Sequence, residues 1–196
     1  MLKCFRNPRF YLIQSRKVKI FLNCNSLTYQ NMPEPLSEQI IKGIDQVNML
    51  YYRLVLVVAP SEKGKTSALQ DVANRLGLPL LNVNVEISRL LLDLTTRQRA
   101  IHVATILRDI IEKHNEKTIL LDNIELLFDV SLKQDTLRLL LGISRNRTIV
   151  ASWNGKIEIG YLTYAEPNHP EYRRYPVKDF LVVSPEEDYL HIPNKI

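Results

Sequence analysis

The chain has 196 residues, 45% hydrophobic and 24% charged, enough for one domain with a real core. No apolar run approaches the roughly 18 residues of a membrane-spanning helix, which excludes a helical membrane span. The formal charge of +5 invites a nucleic-acid partner, but residues 1–31 carry Lys3, Arg6, Arg9, Arg16, Lys17 and Lys19 and no acid, leaving 20 basic against 21 acidic residues from 32 onward.

The leader, 1–31, also holds both cysteines, Cys4 and Cys24. The rest of the chain therefore has neither a disulfide framework nor a Cys/His zinc spacing, and a cytoplasmic protein is the expectation. An acid-poor, Arg-rich leader suits a transit peptide. The favoured expectation is instead a basic, poorly packed N-terminal extension upstream of a translation start at Met32, with one short strand over 17–23. A P-loop domain is expected over 32–196. The histidines, at 102, 114, 169 and 191, are scattered without metal-ligand spacing.

From Met32 the apolar residues Leu36, Ile40, Ile41, Ile44, Val47 and Leu50 recur at helical spacing, behind Pro35 or Ser37 as the start. The run Leu54 to Val58 reads as a buried strand. It leads directly into Ala59-Pro60-Ser61-Glu62-Lys63-Gly64-Lys65-Thr66, and a helix follows from Ser67 to Leu76, closed by Gly77. Strand, tight loop, Gly-Lys-Thr and helix form the context of a phosphate-binding P-loop. The stretch Ala59 to Ser67 would wrap an anion at the helix N-terminus with its backbone N–H groups, of which Pro60 alone has none. Lys65 would reach the β- and γ-phosphates, with its ammonium exposed in the free loop, and Thr66 would ligate Mg²⁺. Ala59 stands where the pattern has Gly; it can serve if its φ stays negative, and Pro60 pushes it toward an extended conformation.

Leu80 to Val85 reads as a second strand with Glu86 at its tip. Thr96 caps a helix over 97–114 with Ile101, Ala104, Leu107 and Ile111 on its apolar face. Thr118-Ile119-Leu120-Leu121-Asp122 reads as a buried parallel strand ending in a carboxylate, where a Walker B aspartate would hold the metal. A helix over 135–141 is stopped by Gly142, and Arg147 to Trp153 makes the next strand. Asn154-Gly155 signals a hairpin turn, with Lys156 to Ala165 returning. Phe180 to Val183 is the last strand. Alternating strands and helices predict an α/β fold, a three-layer P-loop NTPase core with a mainly parallel sheet, a C-terminal β-hairpin and no helical lid.

A hydrolytic site needs a group to orient or deprotonate water. Glu125 is the nearest carboxylate after Asp122, and Glu86 is its rival. Asn154 either touches the γ-phosphate or the water, or serves only the Asn-Gly turn. Trp153 reads as core or partner surface. Arg145 and Arg147 are candidates for an arginine acting on a neighbouring subunit, or a solvated pair. Glu171-Tyr172-Arg173-Arg174-Tyr175 suits either a DNA contact or a protein contact.

The motifs at 59–66, 118–122 and 152–154 resemble those of AAA+-related P-loop ATPases. Asn123 departs from that pattern, standing where an acid usually follows the Walker B Asp. Asn194-Lys195 lacks the Asp of the GTPase base motif, which favours ATP. Thr118 to Phe128, the Asn154-Gly155 turn and Tyr161-Leu162-Thr163-Tyr164 resemble the BrxF family, the small P-loop proteins of type 3 BREX bacteriophage-defence systems. That resemblance covers about 32–175. It implies a bacterial or archaeal cytoplasmic partner of other BREX proteins, in a complex that marks self DNA and restricts phage, and it argues against a transit peptide. The expected activity is Mg-dependent ATP binding and hydrolysis, in a chain that can form homo-oligomers. The competing readings are a nucleotide-binding switch with little turnover and a small P-loop kinase.

Overall fold

The computed structural model describes residues 34–185 and the backbone of three strands between 10 and 28. The expectations on Cys4, Cys24, His191, Asn194-Lys195 and the order of the leader as a whole fall outside those residues. The chain divides into two compact units, Met1–Glu34 and Pro35–Ile196. In the first, β1 (Phe10–Ser15), β2 (Val18–Asn23) and β3 (Ser26–Thr28) form an antiparallel sheet in that order. Where the sequence suggested one strand there are three, because a lone strand leaves its backbone N–H and C=O groups unpaired. β1 and β2 pair from Phe10↔Asn23 to Ser15↔Val18.

The second unit begins with α1 (Leu36–Val47), β4 (Leu54–Ala59), α2 (Lys65–Leu76), β5 (Leu80–Asn82), α3 (Val83–Leu91) and α4 (Thr96–Glu112). It continues with β6 (Thr118–Asp122), 3-10 turns at Glu125–Phe128 and Val130–Leu132, α5 (Thr136–Ile143) and β7 (Thr148–Asn154). It ends with β8 (Ile157–Glu158), β9 (Tyr161–Tyr164), β10 (Arg173–Pro176) and β11 (Leu181–Val183). Five strands form one sheet in the order β11-β4-β7-β6-β5, and every pair in it is parallel.

Alternation along β4 builds the layers. Leu54, Leu56 and Val58 pack on one face with α3, α4 and α5, through Ile87, Leu107, Ile111 and Leu140. Val55 and Val57 pack on the other with Ile40, Ile44 and Val47 of α1 and Leu69 and Val72 of α2. A strand covered on both faces is apolar throughout, which is why β4 shows no alternation in its sequence. Each such Val or Leu contributes roughly 1.5–3 kcal/mol by leaving water. The predicted α/β class, three layers and mainly parallel sheet are all present. Among the described residues no helix follows α5.

Several boundaries differ. The second strand stops at Asn82, whose side chain accepts the Val85 N–H and starts α3. Val83 to Glu86 are therefore helical, and Glu86 pairs with Arg89 at 3.6 Å. Thr95, not Thr96, caps α4, in a capping box with Gln98. Ile101 is exposed, and Val103 and Ile110 take its expected place on the buried face. Gly142 lies inside α5, which runs on to Ile143.

The largest correction concerns residues 154–165. β7 lies between β4 and β6, so it has no free edge for a returning strand. Lys156 to Ala165 instead contributes β8 and β9 to a separate antiparallel sheet, β10-β9-β8. The tight turn there is Ile159-Gly160, with φ of 49° and 75°, the two positive values that a type I′ turn requires. This hairpin is anchored to the core by the Trp153 indole N–H, which donates to Thr163 O at 2.9 Å. Phe128 stacks on Tyr164 at 3.5 Å, and Trp153 meets Phe128 edge-on.

Gly155 is where the hairpin docks. A Cβ there would stand 1.8 Å from the Thr163 carbonyl oxygen. Gly155→Ala is expected to cost about 3 kcal/mol by overpacking, lowering the melting temperature by roughly 6–12 °C. Thermal unfolding of the two forms checks this; an unchanged midpoint would mean the hairpin is not held against β7.

Candidate phosphate-binding site

The C-terminal ends of β4, β6 and β7 meet around a cavity of about 370 Å³. Its walls include Ser61, Glu62, Gly64, Lys65, Thr66 and Ser67 from the loop and first turn of α2. Asp122 contributes from the end of β6, Asn123 and Glu125 from just beyond it, and Ser152 and Asn154 from β7. Ala59, Pro60 and Lys63 do not line it. Every residue expected to do chemistry, Lys65, Thr66, Asp122, Glu125 and Asn154, is brought to this one place.

Ala59 keeps a negative φ, and the left-handed conformation falls on Glu62 (66°) and Gly64 (75°). Gly64 is the N-cap of α2 and makes no side-chain cap hydrogen bond. The first-turn N–H groups therefore lack an intrahelical partner, and the helix dipole adds positive potential at the same end.

Lys65 differs from expectation. Its side chain is only 7% exposed. Its ammonium donates to Ala59 O at 2.8 Å and Pro60 O at 2.6 Å. Burial holds its pKa below the ordinary 10.5, while the Glu125 and Asp122 carboxylates pull it upward. The lysine is a folded part of the loop rather than a free arm, because a buried ammonium must find acceptors.

Asp122 ends β6 and is 5% exposed. Thr66, in the first turn of α2, lines the same cavity. One hydroxyl and one carboxylate are an oxygen donor pair suited to a hard divalent cation that keeps waters and phosphate oxygens as its other ligands. Among the described residues no group of three His, Cys, Asp or Glu gathers to cage a metal on protein ligands alone.

Asn123 explains how Glu125 reaches the site. Asn123 has a φ of 52°, a conformation that Asn tolerates better than most residues. Its N–H donates to Ser152 Oγ at 3.2 Å, and its carbonyl accepts from Asn84 N at 2.9 Å. The chain turns sharply after β6, and Glu125 starts a 3-10 turn facing the cavity. One Glu125 oxygen accepts from Asn84 Nδ2 at 2.9 Å and the other from Asn154 Nδ2 at 2.5 Å. Asn84 also accepts the Leu126 N–H at 2.9 Å. Sequence reasoning missed Asn84. Its signal was a polar residue just beyond the tip of the strand beside Asp122.

The remaining candidates lie elsewhere. Glu86 does not line the cavity. Trp153 is fully buried in the core. Arg147 donates to Ile111 O and His114 O, tying down the end of α4. Arg145 lies over Tyr51 and Tyr52, at the N-terminal end of the sheet, opposite the cavity. Arg174 stacks on Tyr161 at 3.8 Å. Burial and Asp135 push the Tyr175 phenol upward, so this tyrosine belongs to the packing rather than to a stacking platform.

Compared with known proteins, the chain matches no protein-family model, and a search of curated proteins returns no match.

Proposed function

We propose that this chain binds Mg-ATP in the cavity at the end of β4 and hydrolyses it, as the P-loop component of a cytoplasmic BREX-type phage-defence complex. The observation that carries the reading is the convergence of Lys65, Thr66, Asp122, Glu125 and Asn154 on one cavity at a helix N-terminus. The sequence pattern over 118–128 and 154–164 supports the defence context, with other BREX proteins and further copies of this chain as partners.

The roles follow from the positions. Lys65 exchanges its two carbonyl partners for phosphate oxygens, a stronger, charge-assisted contact. The loop and first-turn N–H groups hold the remaining phosphate charge. Thr66 and Asp122 would hold Mg²⁺, which supplies charge neutralisation at the β- and γ-oxygens. Glu125 accepts the proton of the attacking water, and Asn154 fixes the carboxylate that does so.

One observation favours a second reading, a switch with little turnover. Both Glu125 oxygens already accept amide N–H bonds, so the carboxylate is held between Asn84 and Asn154 and fewer of its lone pairs are left to orient a water. Calorimetry of the full chain with Mg-ATP, followed by phosphate release with and without its operon partners, tests both readings. Clear affinity with no turnover selects the switch; no affinity overturns both. Radiolabel on an acceptor instead of free phosphate would select the kinase.

The leader is expected to be dispensable for this site. The cavity is built wholly within the second unit. A 32–196 chain should keep the ATP affinity of 1–196. It should lose most salt-sensitive DNA retention, since phosphate-driven binding tracks the number of basic contacts. DNA binding that persists undiminished would point to the Arg173-Arg174 segment.

A further inference from the structure

Glu62 sets a negative charge against the rest of the phosphate loop. It lines the cavity at the end of β4, is exposed, and holds a φ of 66°. That left-handed conformation strains a residue with a Cβ, whereas Gly64, two positions on, adopts it at 75° without that strain. Glycine would meet the backbone demand at position 62 more easily, so the side chain itself is the feature to explain.

The other carboxylates of the cavity are answered. Asp122 ends β6 where it would hold Mg²⁺, and both Glu125 oxygens accept amide N–H bonds. The Lys65 ammonium interacts with these same two carboxylates. Glu62 has no such match. Among the described residues no salt bridge holds it, and Lys63 beside it does not line the cavity. A glutamate side chain is also too short to carry its charge far beyond about 8 Å, one Debye length at physiological salt, from an anion in the cavity that its own residue lines. Its field reaches the phosphates whichever way the side chain turns.

We infer that Glu62 is a selectivity residue: it penalises anions in the phosphate cavity in proportion to their charge, and so keeps the triphosphate weakly held, quick to leave and only modestly preferred over the diphosphate. The inference rests on the proposed nucleotide reading. Mg-ATP carries about two negative charges and Mg-ADP about one. Across a partly screened gap, one charge on the protein changes the affinity of a doubly charged ligand roughly fivefold and of a singly charged one roughly twofold. Affinity differences at one site reside mostly in the off-rate, so residence time carries the change.

The test is a charge series at position 62 in the full chain, read by calorimetry with Mg-ATP and Mg-ADP and by stopped-flow release of a fluorescent ATP analogue. Glu62→Gln removes the charge and keeps the length of the side chain. It should tighten Mg-ATP roughly fivefold, slow release by a similar factor and tighten Mg-ADP roughly twofold. Glu62→Lys adds a second step of the same size, so the preference for ATP over ADP should widen about fivefold across the series. Both gains should shrink at roughly 1 M salt, where the Debye length falls to about 3 Å. Glu62→Gly removes the same charge together with the backbone strain, and should match Glu62→Gln in ATP affinity. Mg-ATP affinity unchanged in both Glu62→Gln and Glu62→Lys overturns the inference. So does a gain that Glu62→Gly shows and Glu62→Gln lacks, which would assign the effect to strain, or an equal gain for ATP and ADP in Glu62→Lys. Mg-ATP binding that appears only once the charge is removed supports the inference. A chain that binds no Mg-ATP in any of these forms overturns the nucleotide reading, and the role of Glu62 with it.

Discussion

Replacing Lys65 with alanine is expected to weaken Mg-ATP binding about a hundredfold, the equivalent of ~3 kcal/mol for a charge-assisted contact. Calorimetry on folded protein checks it, and an unchanged affinity would overturn the phosphate assignment. The substitution also removes two hydrogen bonds, to Ala59 O and Pro60 O. It should therefore cost about 1–3 kcal/mol of stability, because one buried and one half-buried carbonyl each lose a donor. A pH dependence accompanies it. The folded-state pKa of Lys65 lies below that of the unfolded chain, so deprotonation begins sooner in the folded, nucleotide-free protein. Stability then rises with pH across the window between the lowered value and 10.5, while ATP affinity falls, since the phosphates need the ammonium. Both trends should vanish in Lys65→Ala.

Glu125→Gln is expected to leave Mg-ATP affinity nearly unchanged and slow hydrolysis by about a hundredfold or more, the scale of a lost general base. Asp122→Ala should do the converse first, weakening binding only when Mg²⁺ is present. Wild-type turnover in Glu125→Gln would sink the assignment of the base. Glu86 does not inherit the role, because it lies on α3 paired with Arg89 and away from the cavity. Asn84→Ala distinguishes holding from chemistry: it frees one Glu125 oxygen and should alter kcat without altering ATP affinity. Restoration of wild-type behaviour by Asn84→Gln would argue for the amide itself.

The parts of the fold that were legible share a cause. β4 and β6 are covered on both faces, so their sequences are unbroken apolar runs, and Asp122 marks the exact exit of one of them. Gly64 and Gly77 bracket α2 because both adopt positive φ. Where the reading failed, a local pattern had two meanings. Leu80 to Val85 has the β-branched look of a strand, but Asn82 is also a good N-cap, and capping decided the outcome. Asn154-Gly155 looks like a hairpin turn. The small residue is needed instead for close approach to the Thr163 carbonyl, and the asparagine for Glu125. The two amides on Glu125 come from residues 41 and 29 positions away. No local pattern encodes such a meeting.

The position of β4 in the sheet governs how this protein must be made. Its neighbours are β7, some 95 residues later, and β11, which pairs Leu181↔Val55. Such long-range pairing is slow to form, since the intervening chain has to be ordered first. During synthesis the edge of Leu54 to Ala59 stays uncovered until residues 181–183 have emerged from the ribosome. An uncovered, wholly apolar strand is a site for pairing with the wrong chain. The loop from Pro60 to Gly64 hangs from the end of that strand, so it takes shape only at the close of folding.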